Sequence, residues 1–81
     1  MKPKITRLRG FIPCPEQEPT LAALTTELPS KTAPALMRAG FTVQDAASTQ
    51  PYLITPTPEA FTRAVRRARR RRIIIDVEAW R

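Results

Sequence analysis

The sequence predicts one small α+β domain that is rich in helix, and three observations indicate this class. The chain has 81 residues, which supports one hydrophobic core and excludes a multi-domain protein. Apolar residues recur at helical spacing in several segments after residue 20, whereas three consecutive isoleucines at 73–75 favour a strand. Nine prolines against two glycines indicate stiff connections between few regular elements. We therefore expect a single compact domain over residues 20–81.

Residues 1–19 are predicted to precede this domain as a basic extended arm and a Pro-rich linker. Residues 5–12 alternate imperfectly between polar and apolar, which favours an edge strand or an extended arm over a core strand. Residues 13–19 contain three prolines and two glutamates, a composition typical of a stiff linker. Cys14, flanked by two prolines, is interpreted as an incidental loop thiol.

A first helix is predicted over residues 21–28. Thr20 can cap its N-terminus, and Pro29 ends it. Three leucines lie on one face of this helix, namely Leu21, Leu24 and Leu28.

A second helix is predicted to begin at Ser30 or Thr32 and to end at Gly40, a favourable residue for a helix C-terminus. Leu36 and Met37 are expected to turn inward. Together the two predicted helices would form a small helical hairpin that buries apolar surface.

Two interpretations compete for residues 41–55. In one, residues 41–44 and 52–55 are paired strands joined by a turn. In the other, residues 43–47 form a short helix. Ala46 and Ala47 favour the helix, because alanine has the highest helix propensity and a poor strand propensity. We expect the helix.

The clearest element is a helix over residues 58–72. Thr57 is a good N-cap, Pro58 suits the first helical position, and Glu59 in the first turn complements the helix dipole. Apolar residues recur at helical spacing along one side, at Ala60, Phe61, Ala64, Val65 and Ala68. The three isoleucines that follow predict a strand, after which residues 76–80 either continue the strand or form a final turn.

Arginine dominates the other side and the end of this helix. Seven of the ten residues from 63 to 72 are arginine, and the chain carries a formal net charge of +7. Such density destabilises an isolated helix through repulsion between like charges, and phosphates on a partner would relieve that repulsion. The planar guanidinium group also suits bidentate contact with phosphate oxygens and guanine edges.

We therefore expect nucleic acid as the partner, with duplex DNA favoured. Four arginines lie on the side of the helix away from its apolar stripe, at Arg63, Arg66, Arg67 and Arg70. Three more extend the basic end, at Arg69, Arg71 and Arg72. The N-terminal arm is expected to support them with Lys2, Lys4, Arg7 and Arg9. The small core is also compatible with a homodimer or with cooperative assembly on DNA.

Three short segments of the second half, taken in chain order, resemble the pattern of a known protein family. They are Thr42-Val-Gln-Asp-Ala-Ala, then Pro58-Glu-Ala-Phe-Thr-Arg-Ala-Val-Arg-Arg-Ala, then Arg72-Ile-Ile-Ile-Asp-Val-Glu-Ala-Trp80. This order resembles the small winged helix-turn-helix proteins of the excisionase and MerR-like group. The resemblance spans residues 42–80.

The resemblance implies a helix-turn-helix fold with a short C-terminal strand, in which the arginine-rich helix enters the major groove. A β-wing would then grip the adjacent minor groove, with Arg71 and Arg72 at its base, and Val77 and Trp80 would be core residues. It further implies a DNA-binding accessory or regulatory factor of a phage or other mobile element.

Two other functions belong to different classes. A very small basic α+β protein can serve as a phage-type inhibitor or adaptor that docks on an acidic surface of a host protein. That function goes with the alternative fold, a small hairpin sheet covered by helices. A helix at residues 42–47 favours the helix-turn-helix and a strand there favours the adaptor. An RNA-binding accessory protein is the third hypothesis, and a preference for RNA over duplex DNA would distinguish it.

Enzymatic chemistry finds little support in the sequence. The chain has no histidine to act as a general base near neutral pH, and its two glycines are isolated. Asp76 and Glu78 would share one face of a strand, and we interpret them as a solvent-facing pair that neutralises nearby arginines. Tyr52 and Trp80 are expected in the core rather than stacked on bases. We predict no catalytic residue, no cofactor and no metal site.

The predicted location is the cytoplasm. A single cysteine cannot form an internal disulfide and suits a reducing compartment. The N-terminal residues lack the continuous apolar region of a secretory signal, and the longest apolar run is far too short to span a bilayer. We therefore expect no membrane partner.

Overall fold

A computed structural model describes residues 4–13 and 19–79. In chain order its elements are β1 (Thr6–Ile12), β2 (Thr20–Leu24), α1 (Thr32–Ala39), β3 (Thr42–Gln44), β4 (Tyr52–Thr55), α2 (Pro58–Arg70) and β5 (Ile73–Ala79). The strands form one sheet in the order β3-β4-β2-β1-β5. Neighbouring strands are antiparallel except β1 and β5, which run parallel.

Two crossovers build this sheet, and each contains one helix. The unit β2-α1-β3 joins parallel strands that have β4 between them. The unit β4-α2-β5 joins parallel strands that have β2 and β1 between them. Both are split β-α-β units, and β1 is an additional strand inserted between β2 and β5. The helices pack against each other and share one core with the sheet, so they cover the same face.

The core lies between this helical layer and the sheet. Leu8, Leu24 and Leu53 enter it from three strands and are almost wholly buried. Phe61 of α2 meets Phe41 edge-to-face, with ring centroids 5.3 Å apart. This geometry is favourable for aromatic pairs and joins α2 to the connection between α1 and β3.

The prediction that residues 5–12 are an edge strand or a free arm is wrong. β1 pairs with β2 on one side and with β5 along its whole length on the other. It alternates Leu8 and Gly10 into the core with Arg7 and Arg9 out of it. Gly10 is needed for close packing, because a Cβ there would lie 2.6 Å from the backbone oxygen of Ala23.

The helix predicted over residues 21–28 is also wrong, and with it the helical hairpin. Residues 20–24 form β2, which is hydrogen-bonded to β1 and β4. Ala22, Ala23 and Leu24 are all buried. Small alanines fit a strand that is crowded from both faces, so burial and pairing override their helix propensity here.

The predicted second helix is confirmed as α1. Gly40 adopts φ 118°, and its N–H donates to the carbonyl of Met37, which ends the helix as expected. Leu36 is fully buried, but Met37 is 53% exposed, so its predicted inward orientation is wrong.

Residues 42–44 form a strand rather than the expected helix. β3 pairs with β4 in an antiparallel hairpin, and Asp45 turns the chain with φ 54°. Ala46 and Ala47 lie exposed in the turn, where their helix propensity has no consequence. The hairpin removes the first helix of the helix-turn-helix. Residues 4–13 and 19–79 form an α+β domain dominated by a five-stranded sheet with two helices, and this contradicts the predicted helix-rich helix-turn-helix arrangement.

The C-terminal elements follow the prediction closely. α2 begins at Pro58 as expected and ends at Arg70, two residues earlier than predicted. β5 continues to Ala79, which excludes the alternative of a final turn over the described residues. Lys2, Cys14 and Trp80 lie outside the described residues.

Candidate nucleic-acid interface

The N-terminus of α2 is built as the sequence predicts. Thr57 is extended, and its hydroxyl oxygen accepts a hydrogen bond from the N–H of Ala60 at 3.1 Å. Pro58 occupies the first turn, where its missing N–H has no cost. These features fix the start of the helix and therefore the direction of every side chain that follows.

The inner side of α2 is made of small residues and one aromatic ring. Phe61, Ala64 and Ala68 are buried. The Cβ of Ala64 lies 3.6 Å from where a Cβ on Gly40 would be, so α2 and the end of α1 approach closely. This packing holds α2 flat on the sheet and turns its opposite side to solvent.

All seven arginines from 63 to 72 are exposed. Among the described residues, none of them forms an ion pair with an acidic side chain. Arg63, Arg66 and Arg70 point most directly away from the sheet, since each lies about half a turn from the buried side. They span roughly 10 Å along the helix axis.

The remaining arginines extend this surface sideways and past the helix end. The Arg67 guanidinium reaches towards α1, where its Nη1 lies 4.0 Å from the position of a Cβ on Gly40. Arg71 and Arg72 form the turn into β5, and Arg72 has φ 65°. Arg38 in the last turn of α1 is exposed on the same layer, and it was not among the site residues predicted from the sequence. Its only sequence signal is a basic residue near a predicted helix end.

We call this basic side of α1, α2 and the following turn the arginine layer. It carries eight arginines and one acid, Glu59. The rest of the chain contains six basic and six acidic residues. The whole excess positive charge of the protein therefore belongs to one layer of the fold.

The structure separates the predicted arm residues from this layer. Arg7 and Arg9 alternate with core residues on β1, so they lie on the face of the sheet that the helices do not cover. Lys4 is closer to the arginine layer, because the N–H of Thr6 donates to the carbonyl of Arg72 at 2.9 Å. The expectation that Arg7 and Arg9 support the arginine helix is not met by this geometry.

The side of the sheet opposite the two helices, which we call the open face, has a different chemistry. Asp76 and Glu78 share it, as strand parity predicts, and Asp76 accepts a hydrogen bond from Arg7 at 3.2 Å. An open groove of about 950 Å³ runs between β1 and β5 beside these side chains. Tyr52, expected in the core, is half-buried on this face.

Comparison of the chain with protein-family models, curated proteins and solved structures finds no match. Over the residues that the structure describes, no helix is both long and apolar enough to cross a membrane. Within the same residues, acidic and sulfur side chains form no group that could hold a metal ion.

Proposed function

We propose that the protein binds nucleic acid through the arginine layer, with duplex DNA as the favoured form. The observation that carries the proposal is the concentration of all excess charge in one exposed layer. Its arginines lack acidic partners among the described residues. Contact with phosphates would neutralise this charge and release condensed counterions, which is the main source of non-specific affinity. The contacts would be mainly to the sugar-phosphate backbone of the DNA. Such contacts position the protein and carry no sequence information.

The shape of the layer supports a duplex over a single strand. Proteins that grip single strands combine basic grooves with aromatic rings on which bases stack. The two described rings beneath the arginine layer, Phe41 and Phe61, are both buried. A convex helix about 10–12 Å across matches instead a major groove about 12 Å wide.

Fluorescence anisotropy against random duplex DNA, single-stranded DNA and RNA at several salt concentrations tests the proposal. We expect the tightest binding to duplex, with an affinity that falls steeply as salt rises. Failure to bind any of the three at low salt contradicts nucleic-acid binding. Preference for RNA would support an RNA-binding accessory protein in place of the DNA-binding one.

Two double variants test which face of the protein contacts the nucleic acid. Arg66→Ala/Arg70→Ala removes two outward arginines without disturbing the helix, since alanine has the highest helix propensity. We expect the slope of log affinity against log salt to fall by about 2, because each phosphate contact contributes roughly 0.9. Arg7→Ala/Arg9→Ala removes the same charge from the open face. This control should leave the slope unchanged. An equal fall of the slope in both double variants would show that the affinity depends on net charge and not on the face that carries it.

The hairpin of β3 and β4 favours a second candidate, an adaptor that docks on an acidic protein. It is the feature that distinguishes the adaptor from a helix-turn-helix, and the same arginine layer would face the acidic surface. Binding to acidic polypeptide with no binding to nucleic acid at low salt would establish this candidate instead. For either function we propose a cytoplasmic location, supported by the single cysteine.

A further inference from the structure

Arg67 is the arginine of α2 whose side chain lies against the end of α1. Its Nη1 is 4.0 Å from the position that a Cβ on Gly40 would take, and the Cβ of Ala64, one turn earlier on α2, is 3.6 Å from the same point. Successive residues of a helix are about 100° apart, so Arg67 lies about a quarter of a turn from the buried side of α2. Its guanidinium group therefore faces Gly40, the residue that ends α1.

Two of the last four carbonyl groups of α1 lack a main-chain donor. The N–H groups of Gly40 and Phe41 donate to the other two, each at 3.1 Å. In the described part of the chain, no main-chain N–H donates to the carbonyls of Arg38 and Ala39. Because the peptide dipoles of a helix are aligned, partial negative charge collects at this end of α1.

The fold offers the Arg67 guanidinium group no acidic partner. The one ion pair among the described residues lies on the open face, between Arg7 and Asp76. A positive charge near the last turn of a helix is stabilising, because it lies beside the negative end of the helix dipole. Gly40 has no side chain, so the guanidinium group faces the main chain of α1 directly. Within the described residues, the end of α1 is therefore the negative charge available to Arg67.

We propose that Arg67 is a positioning residue, whose charge stabilises the C-terminal end of α1 and does not contact phosphate. The contact joins the two helices of the arginine layer and keeps Arg38, in the last turn of α1, beside α2. The stabilising role goes beyond nucleic-acid binding and does not depend on it. The absence of a phosphate contact at Arg67 rests on the proposed function.

Amide hydrogen exchange measured by NMR tests the stabilising role where α1 ends. In Arg67→Ala we expect the amides of Gly40 and Phe41 to exchange about two- to fivefold faster than in the wild type. This corresponds to the roughly 0.3–1 kcal/mol that a charge contributes at a helix end. Arg67→Lys keeps the charge and should keep most of the protection. If Arg67→Lys lost as much protection as Arg67→Ala, charge would not be the cause and the proposal would be wrong.

Arg69→Ala is the matched control. Arg69 lies about a quarter of a turn from the buried side of α2 in the opposite direction, so the variant removes the same charge from the side that does not face Gly40. The exchange of the Gly40 and Phe41 amides should stay as in the wild type. Unchanged exchange in Arg67→Ala, or equal acceleration in both alanine variants, overturns the proposal.

Anisotropy with duplex DNA at several salt concentrations tests the absence of a phosphate contact. Arg67→Ala should leave the slope of log affinity against log salt unchanged. Arg66→Ala, which removes an outward arginine, should lower the slope by about 0.9. An equal fall in both variants would assign Arg67 to the phosphate contact and overturn this part of the proposal. If the wild-type protein binds no nucleic acid, the proposed function fails, and the exchange measurement still decides the role of Arg67 in the fold.

Discussion

At the scale of the residue, Arg72 combines backbone strain with a place in the arginine layer. Its φ of 65° lies in the left-handed region, which costs a residue with a Cβ about 1–2 kcal/mol. Glycine is the usual residue at this point beyond a helix end. Residues held in such conformations cluster at binding sites. The proposed phosphate contact needs a positive charge here, and this accounts for arginine in place of glycine.

Replacing Arg72 by glycine should therefore separate stability from binding. We expect Arg72→Gly to raise the free energy of unfolding by about 1 kcal/mol, because the strain is relieved. The affinity for duplex DNA should fall, because one charge of the layer is lost. Urea denaturation and anisotropy measure the two effects.

Arg71→Gly is the matched control. It removes an equal charge one residue earlier, where φ is −94° and arginine is unstrained. Glycine there should lower stability by roughly 0.5–1 kcal/mol through its greater freedom in the unfolded chain. If both glycine variants were destabilised alike, the strain at Arg72 would be excluded.

At the scale of the element, the cap of α2 is the local interaction on which the arginine layer depends most directly. Thr57→Ala removes the hydroxyl that accepts from Ala60, and we expect a loss of about 1 kcal/mol. Thr62→Ala is the matched control, because the hydroxyl of Thr62 only donates to the carbonyl of Pro58 within the helix. It should be neutral or slightly stabilising. Thermal denaturation of both variants checks the difference.

The elements that the sequence predicts correctly are those whose signals are local. α2 carries its own cap, its own proline and a periodic apolar stripe, and three isoleucines indicate β5. β2 and β3 have no such signals. Ala22 and Ala23 favour a helix in isolation, and only the neighbouring strands β1 and β4 make them part of a sheet. Their state depends on contacts with distant residues that propensity does not contain.

The same distinction applies to the candidate site. The run from Arg63 to Arg72 is contiguous, so its exposed side follows from helical periodicity alone. The position of Arg7 and Arg9 on the opposite face follows only from the insertion of β1 beside β5, which no pattern in residues 1–19 indicates. Arg38 joins the layer because α1 and α2 pack together, and this also requires the fold.

At the scale of the whole molecule, β5 completes the fold from the far end of the chain. It provides Ile73 and Ile75 to the core and pairs with β1 through seven consecutive residues. Burial of two isoleucines contributes about 3–6 kcal/mol, against a stability of about 5–15 kcal/mol for a domain. A chain that ends at Arg72 should therefore lose its cooperative thermal transition. Circular dichroism measures this, and a sharp melt of the shortened chain would show that β5 is dispensable.

The parallel pairing of the first strand with the last also has a consequence for synthesis of the protein. β1 is made before the other described strands, and its outer edge has no partner until β5 has been added. An uncovered edge is a site at which strands of other chains can add. The nascent protein therefore stays vulnerable to aggregation at this edge until β5 has been made and has paired with β1.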